Sequence, residues 1–156
     1  MGGPFVRAVA TFGFIGLIPF APATWASLVT LLLWVLLPPA PALAFAAIGI
    51  LVFVLGTYTA HRAESLYGHD DGRVVIDEVA GSLLAVAAFP PRLGLAIAAF
   101  LLFRLFDIVK PPPIYQLQAF PGGLGVMADD LAAGLATNLV LRLGLFAIPG
   151  LAEILL

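Results

Sequence analysis

Residues 42–60 read ALAFAAIGILVFVLGTYTA, nineteen residues without a charge. About 20 apolar residues in a helix cross the ~30 Å hydrocarbon core of a bilayer, so this stretch reads as a membrane span. The rest of the chain has the same character. Residues of the AVILMFWYC set make up 62% of the 156 residues and charged residues only 10%, against about 25% charged in an average soluble protein. So few charges cannot cover the surface of a soluble domain of 16.3 kDa. So much apolar surface also excludes a disordered chain. Lys and Arg number 7 against 9 Asp and Glu, which leaves no basic excess for a nucleic-acid partner. With no cysteine, a disulfide scaffold, a thiolate zinc site and a cysteine nucleophile are all excluded. The composition predicts an all-α integral membrane bundle.

Other apolar segments lie on either side of that span. Residues 25–37, WASLVTLLLWVLL, form a shorter one closed by Pro38 and Pro39, which cannot continue a helix. Residues 79–89, VAGSLLAVAAF, end at Pro90 and Pro91 and would be only about 17 Å long, a length that suits a helix sheltered by its neighbours. Residues 93–110 read as another helix stopped by three prolines, residues 129–146 as the last long one, and residues 151–156 as a short tail. At the amino end, Arg7 precedes an apolar run and Ala21-Pro22-Ala23 imitates a signal-peptide cleavage site. The single charge and the internal Gly and Pro residues fit a retained re-entrant or interfacial segment better. With no repeat, linker or boundary, the expectation is one domain over residues 1–156 with five to six helices, some short or re-entrant.

Charge placement gives an orientation. With the amino end inside and four crossings before Pro111, the inner side receives Arg7, Arg62, Arg73, Arg104 and Lys110, while Arg92 falls outside and Arg142 lies beyond the fourth crossing. That is the positive-inside pattern. The same parity gathers Glu64, Asp70, Asp71, Asp77, Glu78, Asp107, Asp129 and Asp130 on the inner side, leaving only Glu153 elsewhere. Acids contribute little to insertion topology, so their clustering needs another cause. A site on the cytoplasmic face of a multi-pass protein is the expected one.

Taken singly, most of these groups have ordinary explanations. Asp77-Glu78 and Asp129-Asp130 each read as a helix N-cap followed by a first-turn acid, favoured by the helix dipole. Adjacent helical residues point about 100° apart, so one acid of a pair can cap while the other faces a site. Asp70-Asp71-Gly72 reads as a turn, His69 as a loop histidine and potential proton donor, and His61 with Glu64 as a surface pair. Residues 122–125 give a glycine loop before a helix start, a backbone that can approach an anion closely. Arg104, Asp107 and Lys110 differ. Their i,i+3 spacing sets them on one helix face, either as a salt-bridge ladder or as a charged stripe facing a polar interior. Together, carboxylates from three helix ends without sulfur or a histidine cluster suit Mg²⁺, which binds through one or two carboxylates and substrate phosphate. Arg and Lys nearby suit the remaining phosphate oxygens.

The stretches IPFAPATWAS, DDGRVVIDEVAG, FRLFDIVKPPPI and GGLGVMADDLAAG resemble, in order, the motifs of the phosphatidylglycerophosphatase A family of bacterial membrane lipid phosphatases. The likeness runs from about Gly16 to Gly134. It implies an all-helical fold of about six helices around a central one, and Mg²⁺-dependent removal of the terminal phosphate of phosphatidylglycerophosphate in the bacterial inner membrane. It also implies that Asp77, Glu78, Asp107, Asp129 and Asp130 are the family's acidic positions and metal ligands. Arg104 and Lys110 match its basic positions, and Thr24 and Ser27 its hydroxyls. The family usually reads P-G-T-x-G-S where this chain has Pro22-Ala23-Thr24-Trp25-Ala26-Ser27. If either glycine holds a positive φ or touches substrate, alanine strains or crowds the site.

The mechanism expected from the resemblance has the carboxylates hold one or two Mg²⁺ ions that activate water. Arg104, Lys110 and backbone amides around Gly123 would bind phosphate, Asp130 would accept the water's proton, Asp107 is a further catalytic carboxylate, and a covalent Thr24 intermediate is the rival route. The alternative from another class is a small ion- or proton-coupled transporter using the acids as its pathway. Transporters place such groups near the bilayer midplane, whereas these sit at span ends.

Overall fold

Prolines and glycines divide the chain where the sequence suggests, and every regular element between them is helical. The computed structural model describes residues 3–68 and 71–156. It contains α1 (Pro4–Ala10), a 3-10 turn (Ile15–Leu17), α2 (Pro22–Leu36), α3 (Ala42–Tyr67), α4 (Ile76–Ala85), α5 (Leu93–Val109), α6 (Ile114–Leu117), α7 (Gly123–Ala147) and α8 (Leu151–Leu155), with no strand among the described residues. The all-α expectation holds. Five helices have ten residues or more, and α1, α6 and α8 are the short pieces. Two helices, α3 and α7, are long and apolar enough to cross a membrane.

Two boundaries differ from the sequence reading. The uncharged stretch of α3 ends at Ala60, yet the helix continues to Tyr67 and carries His61, Arg62 and Glu64. α7 begins at Gly123, well before Asp129. The glycines after Pro121 are therefore not a loose loop. Gly122 takes φ 62 as the residue before the helix, and a Cβ on Gly123 would strike the Thr57 carbonyl and lie 2.6 Å from the His61 nitrogen. Bare backbone lets the start of α7 press against α3.

The short helix α4 is the centre of the bundle. It packs against α2, α3, α5 and α7, and all of its residues from Ile76 to Ser82 are buried. Gly81 of α4 and Gly134 of α7 form the crossing point, because a Cβ on Gly134 would strike the Gly81 carbonyl. A Cβ on Gly81 would lie 2.6 Å from both the Asp130 carbonyl oxygen and the Phe103 ring. Small residues at such a crossing let two helix backbones approach closely.

At ten residues α4 is about 15 Å long, half of a hydrocarbon core. Its last carbonyls therefore end inside the bundle and need partners. Asn138 supplies them: its Nδ2 donates to the Leu84, Ala85 and Ala87 carbonyls at 3.1, 3.1 and 2.9 Å. Arg142 holds Asn138 in place through Nε to Oδ1 at 2.8 Å, donates from Nη2 to the Ala87 carbonyl at 3.1 Å and lies over the Phe89 ring. The outer surface is apolar, with Leu43, Ile50, Leu101, Ile108, Leu139 and Phe146 all exposed.

Candidate active site

α4 and α7 both start at one end of the bundle, where α3 and α5 finish. Asp77 and Asp130 each lie one helical turn before the crossing glycine of their own helix, so the contact between Gly81 and Gly134 sets the two acids side by side. Asp77, Glu78 and Asp130 each offer a carboxylate oxygen within 4.8 Å of the others, and all three residues are buried. Asp107, near the end of α5, adjoins Asp130 and lies within electrostatic reach of Glu78. Asp129, the residue before Asp130, pairs with Lys110, Nζ to Oδ2 at 2.6 Å.

The local reasons for these placements differ from capping. α4 begins at Ile76 with Val75 before it and no side-chain cap, so Asp77 and Glu78 are first-turn acids. They complement the helix dipole while pointing inward. Asp129 and Asp130 lie beyond the first turn of α7, so the capping explanation fails for them. No ordinary helix-end function accounts for two buried acids there.

The charged stripe on α5 is a ladder and more. Arg104 Nη1 lies 2.7 Å from Asp107 Oδ2, and Lys110 Nζ lies 3.8 Å from Asp107 Oδ1. Lys110 then crosses to α7 through Asp129. The Arg104–Asp107 contact is close but poorly aligned, leaving Arg104 Nε and Nη1 buried without a hydrogen-bond acceptor. Asp77 Oδ1, Glu78 Oε2, Asp129 Oδ1 and Asp130 Oδ2 are likewise buried without a donor among the described residues. A buried carboxylate oxygen without a partner is costly. Several of them converging on hard-oxygen chemistry fit a divalent cation such as Mg²⁺.

Of the other expected site residues, Gly123 falls away from this cluster. Gly123 is about 10 Å along α7 from Asp130 and is pressed against α3. Helix packing accounts for that glycine, and the geometry gives no support to a phosphate contact there. Thr24 lies partly buried in the first turn of α2, and the buried Ser27 donates to the Ala23 carbonyl at 3.0 Å. Ala23 and Ala26 lie within α2, so neither needs the positive φ that favours glycine. That conformation falls on Ala21, at φ 48. Asp71 closes a turn, accepting from the Arg73 backbone and guanidinium. The hydrogen bond from that guanidinium holds the Asp71 carboxyl below the usual carboxylate range. His69 and Asp70 lie outside the described residues. His61 faces Glu64 at 3.6 Å on exposed helix surface, as expected.

The sequence profile of phosphatidylglycerophosphatase A matches residues 8–145, covering every element of this cluster. The chain belongs to the phosphatidylglycerophosphatase A family. Relatives carrying that name include a Haemophilus influenzae protein, 40% identical over 129 residues, covering 80% of this chain and 79% of the relative. An Escherichia coli phosphatidylglycerophosphatase A is 34% identical over 137 residues, covering 86% and 79%. A Bacteroides thetaiotaomicron protein, provisionally named a phosphatidylinositol-3-phosphatase, is 38% identical over 141 residues, covering 85% and 89%. No solved structure matches. All three names denote phosphatases of phospholipids, and nothing in family membership favours a transporter.

Proposed function

We propose that this chain hydrolyses the terminal phosphate monoester of phosphatidylglycerophosphate, giving phosphatidylglycerol, at the cytoplasmic face of the bacterial inner membrane. One observation carries the reading. Buried carboxylate oxygens without partners on Asp77, Glu78 and Asp130 converge, with the Arg104–Asp107 pair next to them, in a chain whose named relatives include phosphatidylglycerophosphatases.

Asp77, Glu78 and Asp130 would hold Mg²⁺, with Asp107 and Asp129 adjoining. The chemistry Mg²⁺ supplies is charge for the phosphoryl oxygens and a lowered pKa for water. Arg104, held by Asp107, would bind a second phosphoryl oxygen, and Lys110 would neutralise further charge while fixing Asp129. Asp130, through Oδ2, accepts the proton of the attacking water. Thr24 as a covalent nucleophile remains the rival route.

Membrane residence draws support from the apolar outer surface and from the aromatic residues near the site end. Trp25, Tyr58 and Tyr115 are exposed there, Arg62 lies over Tyr58, and Arg7 donates to the Tyr67 hydroxyl. Such residues prefer the headgroup level, and the basic ones the cytoplasmic leaflet.

The test is phosphate release from phosphatidylglycerophosphate in mixed micelles with Mg²⁺ and then EDTA, with phosphatidylinositol 3-phosphate in parallel. Release that EDTA abolishes is expected from the first lipid. Release insensitive to EDTA overturns the metal, and release from the inositol lipid alone moves the substrate to that of the Bacteroides relative's name. In ¹⁸O-water, label entering phosphate without a phosphothreonine intermediate supports direct attack. A trapped phosphothreonine transfers the nucleophile to Thr24.

A further inference from the structure

Ser82 of α4 is fully buried, and its hydroxyl has no hydrogen-bond partner among the described residues. A buried hydroxyl without a partner is costly. A helical serine has an easy remedy, since it can donate to the carbonyl four residues before it. The helical hydroxyls of Ser27, Thr30, Thr57, Thr59 and Thr137 do so, at 2.7 to 3.0 Å. Ser82 does not. Size alone does not explain a serine here either, because Ala80 and Ala85 fill small buried positions on the same helix without burying a hydroxyl.

We propose that Ser82 is a positioning residue for the carboxylate cluster: its hydroxyl donates to the free carboxylate oxygen of Glu78 and fixes that side chain in its ligating orientation. The proposal rests on the metal-dependent phosphatase reading above and adds the residue that orients one of its ligands.

Three observations support this role. First, α4 has two faces. Val79, Ala80, Leu83 and Leu84 line an apolar crevice, and Asp77, Glu78, Gly81 and Ser82 do not. Helical periodicity gathers those four on the opposite face. Gly81 shows where that face is turned, because a Cβ there would lie 2.6 Å from the Asp130 carbonyl oxygen of α7 and from the Phe103 ring of α5. Second, Ser82 follows Glu78 by four residues, a spacing that sets Cβ atoms about 5–6 Å apart. Helical side chains lean toward the helix N-terminus, so Ser82 leans toward Glu78. Third, Glu78 needs a donor. Its Oε2 is buried without one, and Arg104, whose charge reaches Glu78, is engaged by Asp107 at 2.7 Å. Residues that ligate a metal are held in orientation by hydrogen bonds from the groups behind them. Ser82 is an unengaged donor one turn away.

Ser82→Ala and Ser82→Cys, compared with wild type as full chains in detergent, provide the test. Cysteine keeps the shape but is a weak donor. Thermal unfolding is followed in EDTA and across a Mg²⁺ titration, without lipid. In EDTA, Ser82→Ala should unfold about 2–4 °C above wild type, because an unpartnered hydroxyl is gone. Both variants should need about tenfold or more Mg²⁺ to reach half of the cation-induced rise in unfolding temperature. The same shift should appear in the Mg²⁺ needed for half-maximal phosphate release.

An unchanged Mg²⁺ requirement in Ser82→Ala overturns the proposal, whatever happens to stability. A requirement raised by alanine but restored by cysteine assigns the effect to packing and overturns it as well. Unfolding of wild type that does not respond to Mg²⁺ also overturns it. The melting arm needs no turnover, so the two readings fail separately. A Mg²⁺ response that both variants weaken, in a protein that releases no phosphate from any lipid, keeps Ser82 as the positioning residue and overturns the phosphatase reading.

Discussion

Lys110 Nζ lies 2.6 Å from Asp129 Oδ2 and joins the end of α5 to α7. The lysine takes φ 45, a left-handed conformation that costs roughly 1–2 kcal/mol for a residue with a Cβ. Its ammonium pairs with Asp129 and Asp107, and these contacts hold the strained turn in place. Lys110→Met leaves Asp129 buried and unpaired. We expect a stability loss on the order of 1–3 kcal/mol and a fall in kcat of about a hundredfold or more. Lys110→Arg should recover part of both. Thermal unfolding in detergent and phosphate-release kinetics measure the two effects, and normal turnover in the Met variant would reduce Lys110 to a structural tie.

The crossing of Gly81 and Gly134 positions Asp77 against Asp130. Gly134→Ala places a methyl group where the Gly81 carbonyl now lies. The helices must separate, at a cost of about 1–3 kcal/mol for overpacking, and the acids one turn away separate with them. We expect Gly134→Ala to lower the unfolding temperature and to raise the Mg²⁺ concentration needed for half-maximal activity. A variant destabilised but unchanged in its Mg²⁺ requirement would show that the crossing does not set the site's geometry.

Asn138 has a purely structural task in this arrangement. Asn138→Leu removes the donor to three carbonyls at the end of α4. Leu84 keeps the Ala87 N–H and Ala87 keeps Arg142, so the Ala85 carbonyl is left alone, at a cost of about 1–3 kcal/mol. The expected outcome is a stability loss of that order with KM unchanged in the fraction that remains folded. A changed KM with normal stability would place Asn138 in substrate binding instead.

The stripe of Arg104, Asp107 and Lys110 is legible in the sequence because its spacing lies within one helix. So is the gathering of acids at one end, because successive helices run in alternating directions. What the sequence hides is contact between helices. Nothing local to Lys110 points to Asp129, and Gly81 and Gly134 look like ordinary helix glycines until the two backbones meet. The start of α7 is hidden for a related reason: glycines that suggest a loop are there to let the helix touch α3. Asn138 did carry a signal, as a lone amide in an apolar helix, where polar groups are expensive without a partner. The departures at Ala23 and Ala26 look serious in sequence and lose much of their weight once both residues are found within α2.

The carboxylate cluster should trade stability for chemistry. Asp77, Glu78 and Asp130 lie within 4.8 Å of one another in a buried site, so without a cation their charges repel and their unpartnered oxygens stay desolvated. Asp77→Asn removes one of these charges and keeps the shape. In EDTA this variant should unfold at a higher temperature than wild type, by about 2–4 °C for each kcal/mol of relieved repulsion. Adding Mg²⁺ should reverse the order, because a ligand that binds the folded state stabilises it in proportion to its occupancy. Wild type would then gain stability with rising Mg²⁺ and Asp77→Asn would gain little, while its phosphatase activity falls below detection. Parallel melting curves across a Mg²⁺ titration separate this from a salt-bridge role. A structural acid would lose stability on neutralisation in EDTA and show no difference in its response to the cation, and that result would remove the metal from the site.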